Sequence, residues 1–408
     1  MNKKKIFKSI ITVVSIIIIL GLSTTVYGRD NLAFSAGTTN GINTVEDVND
    51  AMNSYSNAGY RRYSCIDPSR DTLWSYLYAD VQFFPTHGSL TSISFTNSGI
   101  RVGNDSGNYI GTNSVHWDAD TILVTYASCQ GAGTNNNFSE NSITYQTALR
   151  GSDVAVGFRD SVNDGSIRNW AKRYNDKLGS GSGVQDAVNH ANSYIYVDSR
   201  VKQNHIVHHG DANMRIGRYR SSVVSDDERN ILEQPIPLTA RSSIDSTIIS
   251  IMENLVPDFN IENYVIKETD GLMTTNVNTQ KTEIENKYID LQLKIGDFYT
   301  EAGYTVRISD NVIDAIYDNN IDKEKQNDAF KNINKFNVNI SNIEVENMKK
   351  SAKNNLQTVY NTSKIIVNDN IDTIYYFDIE TGKKYVTFSI PSKTENGDIA
   401  YNTIKYEI

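Results

Sequence analysis

The first 220 residues alternate between short apolar runs and segments in which apolar residues recur every three or four positions. Short runs bounded by turn residues are typical of strands, and the longer period is typical of helices. The pattern predicts strands at 32–34, 62–66, 81–84, 121–126, 154–158 and 205–207. It predicts helices that begin near residues 44 and 69, and further helices over 166–178 and 183–195.

Repeats of strand, helix and strand predict an α/β fold: a mostly parallel six-stranded sheet with helices on both faces, which is a three-layer α/β/α sandwich. Between the third and fourth strands, alternation at 90–95 and 100–102 around Asn97-Ser98-Gly99 predicts a hairpin. In such sheets, ligands bind beyond the carboxyl ends of the strands. His87 follows the third strand and Cys129 follows the fourth. Both are therefore candidates for a functional site.

The composition of the chain changes near residue 222. All six histidines, both cysteines and all three tryptophans precede it. Residues 1–222 carry 20 basic and 18 acidic side chains, whereas the remainder carries 19 and 30, so the net charge changes from +2 to −11. We expect a first domain over 29–222 and an acidic accessory domain over 223–408.

The second half has the pattern of an α+β domain. It predicts a helix at 244–255, long helical stretches at 276–300 and 323–356, and strands within 365–408. Because this half has no Cys, no His and no recognisable cleft with paired carboxylates, we expect no catalytic group from it. Its negative charge favours a weak, salt-sensitive docking over the active-site face of the first half.

The N-terminus has the layout of a secretory signal. Four lysines within the first eight residues precede an apolar stretch over 10–22, and 26–28 is an acceptable cleavage site. We expect a signal peptide over 1–28. The alternative is an uncleaved anchor over 9–28, which would attach the protein to a membrane. Either reading places the rest of the chain outside the cytoplasm, and the net charge of −9 argues against nucleic acid as a partner.

Cys129 and His87 are the residue types that a thiol peptidase needs. The sulfur attacks a carbonyl, the imidazole moves a proton to the leaving amine, and backbone amides bind the oxyanion. Residues far apart in sequence can do this when neighbouring strand ends bring them together. Gly88 has no Cβ to obstruct a substrate oxygen, so its amide and that of Cys129 are the candidate oxyanion donors.

Two segments carry a resemblance to a known family. The segment 83–89, Phe-Phe-Pro-Thr-His-Gly-Ser, resembles the His-Gly motif of the caspase-like cysteine peptidases, which include caspases, gingipains, clostripain and CHAT domains. The segment 125–131, Thr-Tyr-Ala-Ser-Cys-Gln-Gly, resembles their nucleophile motif, and His87 precedes Cys129 by 42 positions. Segment 151–158 and the helices after it resemble CHAT-type domains. The resemblance covers about residues 31–220.

The resemblance implies an endopeptidase that acts on polypeptides without a cofactor or metal, with Cys129 as nucleophile and His87 as its partner. It also implies the strand order 2-1-3-4-5-6. Cys65 and Cys129 would then lie about 14 Å apart, too far for a disulfide, although export permits one. Cys65 is therefore expected to be a buried free thiol.

Substrate specificity depends on the residues around the nucleophile. The family has Gln, Glu or Asp two positions before the nucleophile, where this chain has Ala127. Asp160 and Asp164 follow the fifth strand and could favour a basic P1 residue. The alternative is a solvated loop in which Arg159 neutralises one of them.

Two alternatives remain for the chemistry as a whole. His205, His208, His209 and Asp211 suggest a metal site, but residues three apart on a strand face opposite sides, so we expect none. The second alternative is a catalytically inactive caspase-like scaffold that acts as a cell-surface binding protein.

Overall fold

The computed structural model describes residues 31–408 except 116, 118–120, 218–228, 239–243, 321, 333–335, 337, 339, 361–365, 368–370 and 394–396. The predicted signal or anchor segment, 1–28, lies outside the described residues. Within the described part of the chain, no helix is both long enough and apolar enough to cross a membrane.

The described strands, in chain order, are β1 (Leu32–Gly37), β2 (Arg61–Ile66), β3 (Val81–Pro85), β4 (His87–Ser89), β5 (Ser92–Ser94), β6 (Gly99–Arg101), β7 (Tyr109–Gly111), β8 (Leu123–Ala127), β9 (Gly133–Thr134), β10 (Asn137–Phe138), β11 (Val154–Phe158), β12 (Asn204–His208), β13 (Ile236–Pro237), β14 (Tyr264–Thr269), β15 (Met273–Asn276), β16 (Lys281–Ile284), β17 (Lys287–Ile295), β18 (Phe298–Ser309), β19 (Val312–Asp318), β20 (Ile366–Val367), β21 (Asp372–Asp378), β22 (Lys383–Lys393) and β23 (Ile399–Glu407). The described α-helices are α1 (Val45–Asn57), α2 (Arg70–Tyr76), α3 (Ile143–Leu149), α4 (Asp164–Gly179), α5 (Val184–Asn192), α6 (Ile244–Leu255), α7 (Lys323–Lys331) and α8 (Asn342–Tyr360).

The first sheet contains the six strands that the pattern of the first half predicts. Its spatial order is β16-β15-β12-β11-β8-β3-β1-β2. β2, β1, β3, β8 and β11 run parallel to one another, and β12 is antiparallel to β11. The apolar runs of β3, β8 and β11 are buried along their whole length, as expected for strands covered on both faces.

The prediction of six mostly parallel strands needs correction. β15 adds to β12 in parallel and β16 adds to β15 antiparallel, so the sheet is larger than predicted and mixed. Both added strands come from the second half of the chain. Four hydrogen-bonded residue pairs join β12 to β15, because the exposed edge of β12 would otherwise leave its backbone groups unpaired.

Helices cover both faces of this sheet. On one face, α1, α4 and α5 pack a core that includes Met52, Trp170 and Val188 against Phe83 and Val156. On the other face, α2 and α3 pack a second core against the alternate residues of the same strands, among them Leu73, Ile143, Phe84, Val124 and Tyr126. The alternation of buried side chains along each strand divides the two cores.

The second sheet is built mostly from the second half of the chain. It runs β13-β19-β18-β21-β22-β23-β4-β5-β6-β7, and β14, β17 and β20 also pair within it. The hairpin predicted around Asn97 is confirmed as β5 and β6, yet it belongs to this sheet. The helical stretch predicted at 276–300 is wrong. These residues form strands, because Ile289, Leu291, Leu293 and Ile295 alternate and are all buried.

The two halves are joined by more than surface contact. β15 pairs with β12, and β23 pairs with β4, so each sheet contains strands from both halves. The weak, salt-sensitive docking expected from net charge does not describe these main-chain pairings. The boundary at residue 222 stays a prediction.

Candidate active site

The positions of His87 and Cys129 follow from the register of two neighbouring strands. β3 and β8 are adjacent and parallel, and Pro85 pairs with Ala127. His87 and Cys129 each lie two residues beyond these partners. They therefore leave the sheet at the same edge and at the same level.

Gly88 lies directly against the turn that carries the cysteine. A Cβ on Gly88 would lie 2.6 Å from Ser128 Oγ and 2.8 Å from the carbonyl oxygen of Cys129. No side chain larger than hydrogen fits at this distance without moving backbone atoms. The His-Gly segment and the cysteine turn are thus in direct contact.

His87 is buried, with 1% of its surface exposed. Its Nε2 is hydrogen-bonded to the carbonyl oxygen of Asn40, which requires a proton on Nε2 and leaves Nδ1 as the acceptor. Nδ1 is buried and has no hydrogen-bond partner among the described residues. Burial lowers the pKa of His87, although the Asn40 carbonyl and the nearby Asp398 carboxylate oppose this shift. The ring is therefore neutral at neutral pH, with one free lone pair.

Cys129 lies in a tight turn after β8, where Gln130 has a left-handed φ of 59°. The amide of Gln130 donates to the carbonyl of Asp160, which ties this turn to the segment after β11. Only 3% of Cys129 is exposed. Its Sγ lies 3.4 Å from the amide nitrogen of Val162 and 3.5 Å from the Val162 carbonyl oxygen. Burial raises the pKa of the thiol to about 12, so the described conformation holds it protonated and unreactive.

A cleft opens beside Cys129. Its charged lining residues are Asp47, Asp164 and Arg168. Arg168 Nε lies 3.5 Å from Asp47 Oδ2. Burial raises the pKa of Asp47 to about 6, with the Arg168 guanidinium opposing the shift. The lining has two carboxylates against one guanidinium.

We expected Asp160 and Asp164 to line one wall of the S1 pocket, and Asp164 lines this cleft. Asp160 is not among the lining residues, and its Oδ1 accepts the amide hydrogen of Ser161. The suggested neutralisation by Arg159 is also wrong. Its buried guanidinium donates to the carbonyl oxygens of Asp270 and Gly271 instead.

Several lining residues were not predicted from the sequence. Asp47 and Arg168 lie on helices of the first half, and Ala400 and Tyr401 lie in the second half, where we expected no catalytic group. Nothing in the local pattern near residue 400 points to the cysteine. A contact between residues this far apart leaves no periodic signal in a single sequence.

The structure also describes the other residues considered from the sequence, which are the second cysteine and the histidines of the suggested metal site. Cys65 and Cys129 are both free thiols, and Cys65 is half-buried. His205 is hydrogen-bonded to Thr275 Oγ1 at 2.6 Å and stacks on Phe138. Among the described residues, no three His, Cys, Asp or Glu side chains form a group that could hold a metal ion.

No family model matches this chain, and no curated protein matches it.

Proposed function

We propose that this chain is an exported cysteine endopeptidase of the caspase-like type, with Cys129 as nucleophile and His87 as proton carrier. The observation that carries the proposal is the register of β3 and β8, in which Pro85 pairs with Ala127. It brings the backbone of the His-Gly segment beside the cysteine turn at the carboxyl ends of parallel strands, where α/β folds bind ligands.

Further observations support it. The strand order 2-1-3-4-5-6, read from the first six core strands, is the order that the resemblance implies. The close approach of Gly88 to Ser128 and Cys129 supports the choice of the Gly88 and Cys129 amides as oxyanion donors, because it puts the His-Gly segment against the cysteine turn. Export rests on the leader-like segment 1–28.

The chemistry follows from these groups. Cys129 Sγ attacks the scissile carbonyl carbon while its proton passes to His87 Nδ1, and the amides of Gly88 and Cys129 stabilise the resulting oxyanion. The imidazolium then protonates the leaving amine, and the C–N bond breaks to give a thioester. Water, deprotonated by the same nitrogen, hydrolyses the thioester and regenerates the thiol. The bond from Nε2–H to the Asn40 carbonyl keeps Nδ1 in the acceptor form.

The test is hydrolysis of a positional-scanning library of fluorogenic peptides by the full chain. Cys129→Ala and His87→Ala should each lower kcat/KM by several orders of magnitude, because groups of this kind fail as a unit. Cys65→Ser is the matched control and should retain activity. Near-normal turnover by His87→Ala would show that the imidazole has another role.

The burial of Cys129 favours a second candidate, a scaffold of the same fold that binds partners without turnover. A peptidyl acyloxymethyl ketone separates the two. Covalent labelling of Cys129 that requires His87 supports the peptidase. If Cys129 reacts with iodoacetamide under conditions in which the ketone gives no adduct, the result favours the binding protein over the peptidase.

A further inference from the structure

The last strand of the chain lies across the candidate active site. The backbone of Ile399 pairs with Gly88, the residue directly after His87. Two residues later, Tyr401 forms a β-bridge with Asn163, which follows the β11 strand end. One edge of β23 is hydrogen-bonded to β22 along its length. The opposite edge contacts the His-Gly segment at Gly88 and the segment after β11 at Asn163.

Side-chain contacts fix this strand in place. Asp164 Oδ1 accepts the amide hydrogen of Thr403 at 2.8 Å, and the Thr403 hydroxyl donates to Asn163 Oδ1. Asn163 Nδ2 in turn donates to Ser389 Oγ on β22 at 2.9 Å. At the other end, the fully buried Asp398 accepts a hydrogen bond from Ser92 Oγ.

The same strand covers the thiol. Ala400 and Tyr401 line the cleft together with Cys129, and Tyr401 packs against the core cluster that contains Cys129 and Val162. The guanidinium of Arg200 lies 5.6 Å from the centre of the Tyr401 ring. A strand that pairs with the backbone at Gly88 and at Asn163 occupies the main-chain positions that an extended peptide would need to reach the thiol.

We infer that segment 398–403, which comprises Asp398 and the start of β23, is an autoinhibitory strand that fills the peptide groove and keeps Cys129 inaccessible until it is displaced. This inference rests on the proposed function for its biological meaning. The accessibility of the thiol can nevertheless be measured without any catalysis.

The experiment uses the full chain with Cys65→Ser, so that Cys129 is the only thiol. Tyr401→Ala/Thr403→Ala removes the ring that lines the cleft together with Cys129 and the hydroxyl that donates to Asn163. Thr403→Val is a milder variant of nearly equal volume that loses only the hydroxyl. Tyr406→Ala is the matched control, since Tyr406 lies on the same strand but packs against Phe388 away from the cleft.

Two quantities are measured, the rate of iodoacetamide labelling of Cys129 and the rate of peptide hydrolysis. We expect the double variant to be labelled on the order of tenfold faster than the parent, because reactivity scales with the fraction of open molecules. Thr403→Val should change in the same direction by a smaller factor, and Tyr406→Ala should stay within about twofold. Hydrolysis should rise in parallel with labelling.

The possible outcomes separate the two proposals. Faster labelling without hydrolysis in any variant supports the autoinhibitory strand and overturns the peptidase. Full hydrolysis by the parent, with labelling unchanged in both cleft variants, overturns the autoinhibitory strand and leaves the peptidase standing. An equal rise in Tyr406→Ala would attribute the effect to general loosening of β23 and also overturn the autoinhibitory strand.

Discussion

Lys202 Nζ and Asp290 Oδ1 lie 2.6 Å apart, and both side chains are almost completely excluded from solvent, at 0% and 1% exposure. Lys202 precedes β12 in the first half of the chain, and Asp290 lies on β17 in the second. Thr305 donates its hydroxyl to the same carboxylate oxygen. We therefore expect this ion pair to couple the stability of the two halves.

Removing one member of this pair should destabilise the whole chain. Lys202→Met leaves the Asp290 carboxylate buried without its cation, which should lower the free energy of unfolding by about 3–5 kcal/mol. Lys202→Met/Asp290→Leu removes both charges and should recover most of that loss. Urea unfolding monitored separately in each half is the measurement. The free energy of unfolding of the parent should change little between low and high salt, because salt screens buried ion pairs only weakly. Unfolding of the second half alone at high salt would contradict the dependence of one half on the other.

Gly88 should tolerate no side chain. In Gly88→Ala the new methyl group would meet Ser128 and the Cys129 carbonyl at less than 3 Å. We expect a loss of about 100-fold or more in kcat/KM, since displacing one oxyanion donor costs that much. Gly210→Ala is the matched control, because nothing lies within 4 Å of its Cβ position. The measurement is peptide hydrolysis by both variants, and equal activities would remove Gly88 from the site.

Asp47 should make cleavage after lysine depend on pH. The raised pKa of its carboxyl, about 6, means that it is ionised above pH 6 and neutral below. A charged carboxylate in the cleft should favour a lysyl over a norleucyl P1 residue by about tenfold above pH 7. This preference should fall as the pH decreases through 6. Asp47→Asn should weaken the pH dependence, whereas Asp50→Asn, one turn away on α1, should leave it unchanged. Asp164 lines the same cleft and burial raises its pKa as well, so it should retain part of the dependence. Equal cleavage of both substrates at pH 8 would show that the cleft does not select a cation.

His205 should make the folded state less stable in acid. Burial holds its pKa well below 6.5, with the Arg159 guanidinium adding to the shift. Below pH 6.5 the unfolded chain therefore binds a proton that the folded chain does not. From this residue alone, the free energy of unfolding should fall by about 1.4 kcal/mol for each unit by which the pH is lowered below 6.5, until the pH reaches the pKa of His205 in the folded state.

The measurement is urea unfolding between pH 5 and 7. His205→Gln should reduce the slope with pH by that amount. Thr275→Val is the control, because it removes the hydrogen bond to His205 but keeps the titrating ring. It should lower stability by a similar amount at every pH, and a slope unchanged in His205→Gln would assign the acid sensitivity to other groups.

The strands of the first half could be predicted because burial on both faces leaves uninterrupted apolar runs. β11 has the predicted bounds, and α6 begins and ends at the predicted residues. The segment 276–300 was misread because its Asn, Lys and Glu content suggested helices. The turns at Gln280 and Gly296, both with positive φ, and the alternation between them specify strands.

In the candidate site, too, the residues specified by local sequence pattern could be predicted, and those that depend on long-range pairing could not. His87, Gly88 and Cys129 follow strand ends, so local pattern was enough to group them. The position of β23 was not predictable, because it depends on pairing between residues hundreds of positions apart. Asp160 and Asp164 follow the same strand, and only the direction in which the chain enters α4 decides that Asp164 faces the cleft.

The pairing of β23 with β4 also determines when the site can be completed during folding. Ser92 and Asp398 are in contact although 306 residues separate them. During synthesis, residues 87–89 emerge long before β23 does, so the edge of β4 that pairs with β23 lacks its partner until the end of the chain is made. Contacts between such distant residues form slowly because a long loop must close first. We therefore expect refolding to end with a slow phase in which the last strand docks, and Cys129 should stay accessible to iodoacetamide until that phase is over.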